Sequence, residues 1–359
     1  MKKIIITTMF SIISSQSYAV TDQIKQAQNF LNNTQSEISD DTKATAPKNE
    51  IRYGQKSNLL KSYQFQNNLS ETGIFDDETL IFIQKQQELL GFNVTKTLDF
   101  NTWFATYPQP ISWQKNSVLE AQEEWSNVLN KQIINNSSKF VVVNIPSMTL
   151  TAYNWDGVEA QEEMESKVVV GKVSSKTPFD DFSIWGLKYH PTWTPTPNML
   201  KRNVYTANGI NTSWLRSHGV KAIDSKGRTI SYEAASYTEG VRFVQPAGNN
   251  NALGLLKFET NSNKNIYLHD TNEKNLFKHN TRAYSSGCIR VEDYLGLAQW
   301  SADVENSVIN SNLESKRTRI EKINEEIPVY FTYSLVTFKN NEPIFSPDIY
   351  KRKNTIVYK

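Results

Sequence analysis

The chain has 359 residues, of which 39 are Lys or Arg and 37 are Asp or Glu, so its formal net charge is +2. This length allows two domains with sizeable cores, and the near-neutral balance gives no electrostatic basis for binding nucleic acid or an anionic membrane surface. One cysteine leaves no partner for a disulfide within these residues. The four histidines are scattered and no HExxH occurs, so we expect no metal and no other cofactor.

The first nineteen residues have the pattern of a secretory signal peptide. A basic start, residues 1–3, precedes an apolar run, residues 4–13, that is too short to span a bilayer. Ser17 and Ala19 provide small residues at both positions that a signal peptidase reads. We predict cleavage after Ala19, which leaves a neutral, exported chain without a stable membrane span. An N-terminal core helix is the alternative interpretation.

The next segment predicts an arm and then a small helical domain. Residues 20–50 are polar and rich in Gln, Asn, Ser and Asp, which favours a flexible arm. In residues 51–112, one helix begins after Asp76, carries apolar side chains one turn apart, and ends at Gly91. We predict a connecting helix in residues 113–138, with four buried positions: Leu119, Trp125, Val128 and Leu129.

Short apolar runs separated by Gly, Pro and Asn dominate from residue 139 to residue 352, and they predict strands. We expect helices in this part only after Cys288 and around residues 311–326. An insertion over residues 195–239 has few long apolar runs. The predicted fold class is therefore α+β, with a small helical N-terminal domain followed by a mainly β domain.

The single cysteine lies in the stretch "AYSSGCIRVED". Ser286 and Gly287 before Cys288 indicate a tight turn, where backbone N–H groups can point at a substrate carbonyl. The following residues, 291–304, predict a helix. A cysteine on a turn at a helix N-terminus lies in a positive potential that favours the thiolate. A reactive thiol is one interpretation, and an inert buried thiol, an intermolecular link or a redox sensor are the others.

A thiolate nucleophile needs a base, and four histidines are available. His269 ends the apolar strand of "NIYLHD", beside Tyr267, and the nineteen positions from it to Cys288 form a loop that can fold back. We predict that His279 lies on a solvated surface, that His190 supports a turn, and that His218 has no catalytic role. His269 is therefore the candidate base.

His269 followed by "SSGCIR" resembles the active-site signature of the L,D-transpeptidases, the cysteine enzymes that cross-link peptidoglycan. The segments "FVVVNIPSMTLTAYNWDG" and "VQPAGNNNALGLLKF" also resemble that domain, and the likeness covers about residues 139–350. It is closest to the larger Gram-negative branch, which carries a capping insertion and has Ser where other members have a second His, here Ser286. Residues 51–112 resemble the small peptidoglycan-binding-like domain.

The resemblance implies a β-sandwich catalytic domain in the periplasm that acts on peptidoglycan stem peptides and glycan strands. It implies that Cys288 is the nucleophile and His269 the base, with the cysteine pKa lowered. It also implies that backbone N–H groups of Gly287 and Cys288 form an oxyanion hole. Arg290 either binds a substrate carboxylate or anchors its loop, and Ser286 and Tyr267 are candidate substrate-binding residues.

Several alternatives remain open on the sequence. Water as the acceptor would give an L,D-carboxypeptidase, and another amine would give an exchange or protein-anchoring enzyme. A peptidoglycan-binding protein with a non-catalytic thiol is a further alternative. We also expect the insertion to close over the stem as a lid, using three aromatic side chains (Tyr205, Trp214 and Tyr232) and four glycine hinges (Gly209, Gly219, Gly227 and Gly240). A surface elaboration without this role is the alternative.

Overall fold

The computed structural model describes residues 22–33, 47–107, 109–207 and 209–353. The predicted signal peptide, residues 1–19, lies outside the described residues. The helices of the described part are α1 (Asp22–Asn33), α2 (Asn58–Gln66), α3 (Asp77–Leu89), α4 (Phe100–Thr106), α5 (Ile111–Asn135), α6 (Pro197–Asn203), α7 (Thr212–Ser217), α8 (Tyr232–Ala235), α9 (Tyr294–Ala302) and α10 (Asn306–Glu314). Its strands are β1 (Ile51–Arg52), β2 (Thr97–Leu98), β3 (Lys139–Asn144), β4 (Thr149–Trp155), β5 (Ala160–Gly171), β6 (Phe182–Tyr189), β7 (Tyr205–Thr206), β8 (Gly209–Ile210), β9 (Lys221–Ile223), β10 (Thr229–Ile230), β11 (Arg242–Val244), β12 (Leu256–Thr260), β13 (Leu268–His269), β14 (Ala283–Ser285), β15 (Ile289–Val291), β16 (Arg319–Thr332), β17 (Val336–Lys339) and β18 (Glu342–Phe345).

The chain divides into two compact units. Unit 1 contains the described residues up to 182, residues 275–287 and the described residues from 327 onward, and unit 2 contains the described residues within 183–274 and 288–326. A helical N-terminal region is followed by mixed β-sheet, which confirms the α+β class. The β-sandwich and the predicted domain boundaries stay predictions.

The prediction of a flexible arm over residues 20–50 is wrong for residues 22–33, which form helix α1. Ile24 and Ala27 on this helix are buried. The Gln23 side chain donates to the Phe338 carbonyl at 2.9 Å and accepts from the Phe338 N–H at 2.8 Å. Gln26 accepts from the Asn341 N–H at 2.7 Å. Polar composition suggested an arm, but these glutamines hydrogen-bond the hairpin of β17 and β18.

The helical N-terminal region repeats one hydrogen-bonding device, which we call the glutamine clamp. The buried Gln64 of α2 donates to the Thr79 hydroxyl at 2.8 Å and accepts from the Gly73 N–H at 2.8 Å. One helix later, the buried Gln87 of α3 donates to the Thr102 hydroxyl at 3.1 Å and accepts from the Thr95 N–H at 3.0 Å. Each clamp therefore ties a helix to the start of the next one.

The ends of these helices follow from their capping residues. The Asp76 carboxylate accepts from the Thr79 N–H at 3.0 Å and caps α3, and Asp99 caps α4 in the same way through Thr102 at 2.9 Å. After α3, Gly91 adopts a φ of +68°, which allows the left-handed turn that ends a helix. The start and end predicted for this helix are confirmed.

The predicted connecting helix corresponds to α5, which extends from residue 111 to residue 135. Trp125, Val128 and Leu129 are buried as predicted. Leu119 was predicted to be buried and is instead 37% exposed. The buried stripe passes through the neighbouring positions Val118 and Ala121, and Leu119 is rotated about 100° from Val118 around the helix.

In unit 1, β4 pairs antiparallel with both β3 and β5. The end of β16 pairs parallel with β3, and β14 pairs parallel with β5. The β3 side chains Phe140 and Val142 pack with Tyr153, Trp155 and Tyr330, and the rings of Phe140 and Tyr153 stack at 5.0 Å. This core faces Trp125 of α5.

In unit 2, the strands that surround His269 follow the order β15, β13, β12 and β6. The first two pair parallel, and the other neighbours pair antiparallel. The helix predicted around residues 311–326 is wrong beyond residue 314, because β16 begins at Arg319. Ile320, Ile323 and Ile327 are β-branched and favour a strand. Pro328 follows directly and cannot continue a helix.

The predicted insertion has its own core within unit 2. Strand β9 pairs with β10 on one side and with β11 on the other. Leu215, Val220, Ala222 and Phe243 are buried in this core. Two backbone hydrogen bonds between Trp193 and Gln245, of 3.0 and 2.7 Å, close the base of the insertion. These two residues lie just outside the predicted limits, residues 195–239.

Most of the aromatic and glycine residues predicted to form a lid contact other residues of the insertion or lie in its turns. Trp214 stacks on His218 with ring centroids 4.1 Å apart, and the Tyr232 hydroxyl donates to the Val220 carbonyl at 2.7 Å. Tyr205 remains 52% exposed. The four glycines have φ values from +61° to +106°, which suits tight turns between short elements. The lid stays a prediction.

Candidate active site

The parallel pairing of β13 with β15 brings the sequence-predicted residues together. Leu268 pairs with Ile289 and His269 pairs with Arg290. The Ile289 N–H donates to the Tyr267 carbonyl at 2.9 Å. Cys288 is the residue immediately before β15, and its thiol donates to the Asn265 carbonyl at 3.8 Å. The chain between His269 and Cys288 therefore folds back as predicted, so that β15 lies beside β13.

The predicted position of Cys288 at a helix N-terminus is wrong. Strand β15 follows the cysteine, and helix α9 begins at Tyr294, where Asp293 caps it by accepting from the Gly296 N–H at 2.9 Å. Ile289 and Val291 are buried and β-branched and flank the less buried Arg290, which is the alternation of a strand. The helix dipole therefore does not act directly on the sulfur.

His269 is 5% exposed, and its orientation is fixed by the next residue. Its Nδ1 atom forms a short hydrogen bond with the Asp270 carbonyl. Since a carbonyl only accepts, Nδ1 carries the proton of the neutral ring and Nε2 carries the lone pair. His269 therefore presents Nε2 as a proton acceptor.

The Asp270 carbonyl is held in place by its own side chain. This carboxylate is buried, accepts from the Leu255 N–H at 2.8 Å and pairs with the Lys274 ammonium. Gly254 lies against it with a φ of +63°, and a Cβ added there would lie 2.2 Å from a carboxylate oxygen. The chain around Asp270 thus determines the tautomer and direction of the His269 ring.

Burial keeps both candidate catalytic groups neutral. Burial, together with the nearby cations of Arg290 and Lys257, lowers the pKa of His269 to about 3. Burial also raises the pKa of the Cys288 thiol above its ordinary value, although the Tyr267 backbone, Lys257 and Arg290 oppose this rise. The expected lowering of the cysteine pKa is therefore wrong for the unliganded protein.

The turn before Cys288 is held by two hydroxyl groups of unit 1. The Ser286 carbonyl accepts from the Ser175 hydroxyl at 2.8 Å, and the Gly287 carbonyl accepts from the Thr177 hydroxyl at 2.9 Å. Gly287 has a φ of +125°, and its N–H donates to the Ser285 hydroxyl at 3.0 Å. One of the two predicted oxyanion donors is therefore engaged by a neighbouring side chain.

Arg290 and Tyr267 have partners in unit 2. Arg290 forms an ion pair with Glu273, in the segment that follows His269. This contact agrees with the loop-anchoring role predicted for Arg290. The Tyr267 ring lies 3.6 Å from the Lys257 ammonium, and its hydroxyl donates to the Asn265 side chain at 3.3 Å.

The other three histidines have structural surroundings. His190 adopts a φ of +44° and bonds through Nε2 to the Leu313 carbonyl at 2.6 Å, which agrees with its predicted role at a turn. His218 and His279 are exposed, and each lies against an aromatic ring. None of these three lies on β13 or β15 beside Cys288.

Sequence reasoning missed the charged residues on the strands next to His269. Lys257 lies directly opposite His269, and Lys188 lies directly opposite Lys257. Glu259 pairs with Lys257 at 2.8 Å and with Lys188 at 3.9 Å. The available signal was a lysine and a glutamate at alternate positions of the apolar run "LLKFET".

Two further features were sought in the described part of the chain: a cluster of metal ligands and a membrane-spanning helix. No three His, Cys, Asp or Glu side chains among the described residues come close enough to hold a metal ion. No described helix is long and apolar enough to cross a bilayer.

Comparison with known proteins identifies the domain. Residues 138–316 match the L,D-transpeptidase catalytic domain family YkuD. A putative L,D-transpeptidase from Haemophilus influenzae is 29% identical over 255 residues, which are 68% of this chain and 50% of that relative. The chain thus spans about half the length of the curated relative that it matches.

Solved structures give a weaker likeness. The L,D-transpeptidases of Enterococcus faecium and Mycobacterium smegmatis are both 14% identical to this chain. They cover 55% and 54% of it, with 50% and 58% of their own chains, at TM-scores of 0.26 and 0.27. Values this low carry no argument. The match of residues 138–316 and the curated relative lead to one conclusion: this chain belongs to the L,D-transpeptidase family.

Proposed function

We propose that the protein forms diaminopimelate-to-diaminopimelate cross-links in peptidoglycan through a thioester on Cys288. The observation that carries this proposal is the pairing of β13 with β15, which sets Cys288 beside the strand that ends in His269, whose Nε2 is a proton acceptor. Family membership supplies the peptidoglycan context. The β-sandwich form of the catalytic domain belongs to the same proposal.

The first half-reaction is acylation. The Cys288 sulfur attacks the carbonyl carbon that links diaminopimelate to the terminal D-alanine of a donor tetrapeptide, and the thiol proton passes to His269 Nε2. Because both groups are neutral at rest, the proton moves as the carbon–sulfur bond forms. The carbon–nitrogen bond then breaks, and D-alanine leaves with the proton from His269.

The carbonyl oxygen gains negative charge in this step and needs donors. The backbone N–H groups of Cys288 and Gly287 are the candidates, and a good donor contributes about 3 kcal/mol to the transition state. The Gly287 N–H donates to Ser285 in the unliganded protein, so that bond must be exchanged for the oxyanion or the donor must come from elsewhere.

The second half-reaction transfers the acyl group. The side-chain amine of a second diaminopimelate attacks the thioester, its proton passes to His269, and the sulfur is released and reprotonated. Water in place of this amine would give a carboxypeptidase, and another amine would give exchange or anchoring. We prefer the stem amine, since the thioester lasts long enough to await an acceptor.

Location and partners belong to the same proposal. Residues 1–19 support export to the periplasm, where stem peptides and glycan strands are available. The helical region over residues 51–112 is the candidate glycan-binding part.

The nucleophile is tested by a carbapenem, whose strained lactam replaces the acyl donor. Intact-protein mass should show one adduct on the wild type and none on Cys288→Ser. His269→Ala should slow adduct formation by about 10² to 10⁴, because general-base help is lost. His218→Ala, a change at an exposed histidine of the same unit, should leave the rate unchanged. An adduct that persists on Cys288→Ser would rule out this nucleophile.

The reaction itself is tested on purified sacculi. Mass analysis of digested sacculi should show new cross-linked stems after incubation with the wild type and not with Cys288→Ala. Shortened stems without cross-links would instead identify a carboxypeptidase.

A further inference from the structure

Four basic or imidazole side chains form one row across unit 2, which we call the basic row. Lys188 of β6 is opposite Lys257 of β12, Lys257 is opposite His269 of β13, and His269 is paired with Arg290 of β15. Residues that are paired across neighbouring strands point to the same face of a sheet. The basic row therefore lies on the face that carries the His269 ring.

The two ends of the basic row have different counter-charges. Arg290 is matched by Glu273, whose side chain is 57% exposed. Lys257 and Lys188 share a single carboxylate, Glu259. The lysine end therefore carries one uncompensated positive charge among the described residues.

Lys257 is mostly buried, and its ammonium has fewer partners than donors, which a role in stability alone does not explain. Its side chain is 12% exposed, and burial lowers its pKa. Its ammonium has three N–H donors, of which one faces Glu259 and another faces the Tyr267 ring. Among the described residues no further acceptor bonds it. Burial of a cation is costly unless it is paired, and a carboxylate that accepts from the third donor would form a strong, charge-assisted hydrogen bond.

The spacing indicates which anion. Neighbouring strands lie about 4.8 Å apart, so the Lys257 backbone is one strand away from that of His269. Its ammonium lies 3.6 Å from the ring of Tyr267, whose carbonyl bonds the residue after Cys288. In a donor tetrapeptide, the terminal carboxylate lies one residue beyond the scissile carbonyl, and one extended residue spans about 3.5 Å. A scissile carbonyl at the Cys288 sulfur, beside Tyr267, thus brings the D-alanine carboxylate within reach of Lys257.

We propose that Lys257, supported by Lys188 and Glu259, binds the terminal carboxylate of the donor's D-alanine and so selects tetrapeptide stems. This inference rests on the proposed function and adds its specificity determinant. A pentapeptide carries its carboxylate one residue further out, where the ammonium would face an uncharged amide. The cation also lies where it can hold the leaving D-alanine while the carbon–nitrogen bond breaks.

The test compares three synthetic donors on the wild-type protein: the tetrapeptide, the tetrapeptide with its terminal carboxylate as a carboxamide, and the tetrapeptide with the diaminopimelate side-chain carboxylate as a carboxamide. We expect kcat/KM for acylation to fall about 10- to 100-fold for the terminal carboxamide. The side-chain carboxamide should react nearly as well as the unmodified donor. Dependence on the side-chain carboxylate alone would overturn the assignment of the carboxylate.

The residue is tested by Lys257→Gln. This variant should lose the preference for the terminal carboxylate, so that carboxylate and carboxamide donors react at similar rates, and Lys257→Arg should restore part of the preference. Lys322→Gln, at an exposed position of the same unit, should keep the wild-type preference. Equal loss on both donors, with the ratio unchanged, would show that Lys257 acts only on structure and would overturn the subsite.

The failure of this inference can be told apart from failure of the proposed function. If no peptide donor acylates wild-type Cys288, the proposed function fails. If the tetrapeptide acylates Cys288 and the wild type does not distinguish the terminal carboxylate from its carboxamide, the inference alone fails, and this comparison requires no variant to fold.

Discussion

At the residue scale, the main feature is that Cys288 and His269 are both neutral before substrate binds. Papain-like cysteine enzymes have a thiolate paired with an imidazolium, and their thiol pKa is strongly lowered. Here burial raises the Cys288 pKa and lowers that of His269 to about 3. The nucleophile is therefore activated when a substrate is attacked, and it is protected from adventitious reaction in the oxidising compartment proposed for it.

This state predicts the pH dependence of alkylation. The rate at which iodoacetamide alkylates Cys288 should rise with pH through an inflection above the ordinary thiol pKa of about 8.5, since only the thiolate reacts. Removing the Lys257 cation by Lys257→Gln should move the inflection higher, because that cation favours the thiolate. The measurement is the alkylation rate from pH 6 to pH 11 by intact-protein mass. A fast plateau near neutral pH would show a resting ion pair instead.

At the element scale, the glutamine clamps of the N-terminal region predict a measurable stability effect. Gln87→Leu removes the acceptor of the Thr95 N–H and the donor to the Thr97 carbonyl. Both backbone groups would then face the apolar leucine side chain without a partner. Each buried group left without a partner costs about 1–3 kcal/mol. We expect the free energy of unfolding, measured in urea, to fall by about 2–4 kcal/mol in total.

The control for this prediction is Lys85→Leu, an exposed position of the same helix. It should change the free energy of unfolding by less than about 0.5 kcal/mol. If both variants have the same stability, the clamp does not hold α3 to the next helix.

Some features of these helices could be predicted from the sequence, and others could not. The limits of α3 were predictable, since Asp76 and Gly91 act through the backbone beside them. The glutamine clamps were not, because a glutamine in a polar helix does not reveal a partner fifteen positions away. Helix α1 was missed for the same reason, as its polar residues bond distant strands.

The residues of the candidate active site likewise include some that the sequence could predict and some that it could not. Cys288 and His269 could be found because each lies in a distinctive local pattern, a Ser-Gly turn and a strand end. The basic row could not, because it depends on strand register, which sets Lys188 and Lys257 side by side only in the folded sheet. The cysteine pKa was predicted in the wrong direction, because burial of the thiol raises it and the expected helix N-terminus does not follow the cysteine.

At the scale of the whole molecule, the closed base of the insertion defines a clean deletion. Replacing residues 194–244 with a short Gly/Ser bridge joins Trp193 to Gln245, which already exchange two backbone hydrogen bonds. If the insertion excludes water from the thioester, the ratio of hydrolysis to cross-linking on tetrapeptide donors should rise several-fold. Product analysis by mass gives this ratio.

The deletion carries an internal control. Cys288 of the shortened protein should still react with a small lactam, which shows that β13 and β15 remain paired. An unchanged ratio in a protein that still reacts with the lactam would exclude the insertion as a water gate.

The glutamine clamps also bear on the order in which the chain folds. Gln64 and Gln87 each bond a threonine fifteen positions away, so α2, α3 and α4 are joined to one another through local contacts. Asn144 of β3 meets Thr332 of β16 across 188 positions. Loops of that length close slowly, because their ends must find each other before any contact stabilises them. A chain that emerges from its N-terminus can therefore join α2, α3 and α4 early, whereas the sheet of unit 1 must wait for β16, near the end of the chain.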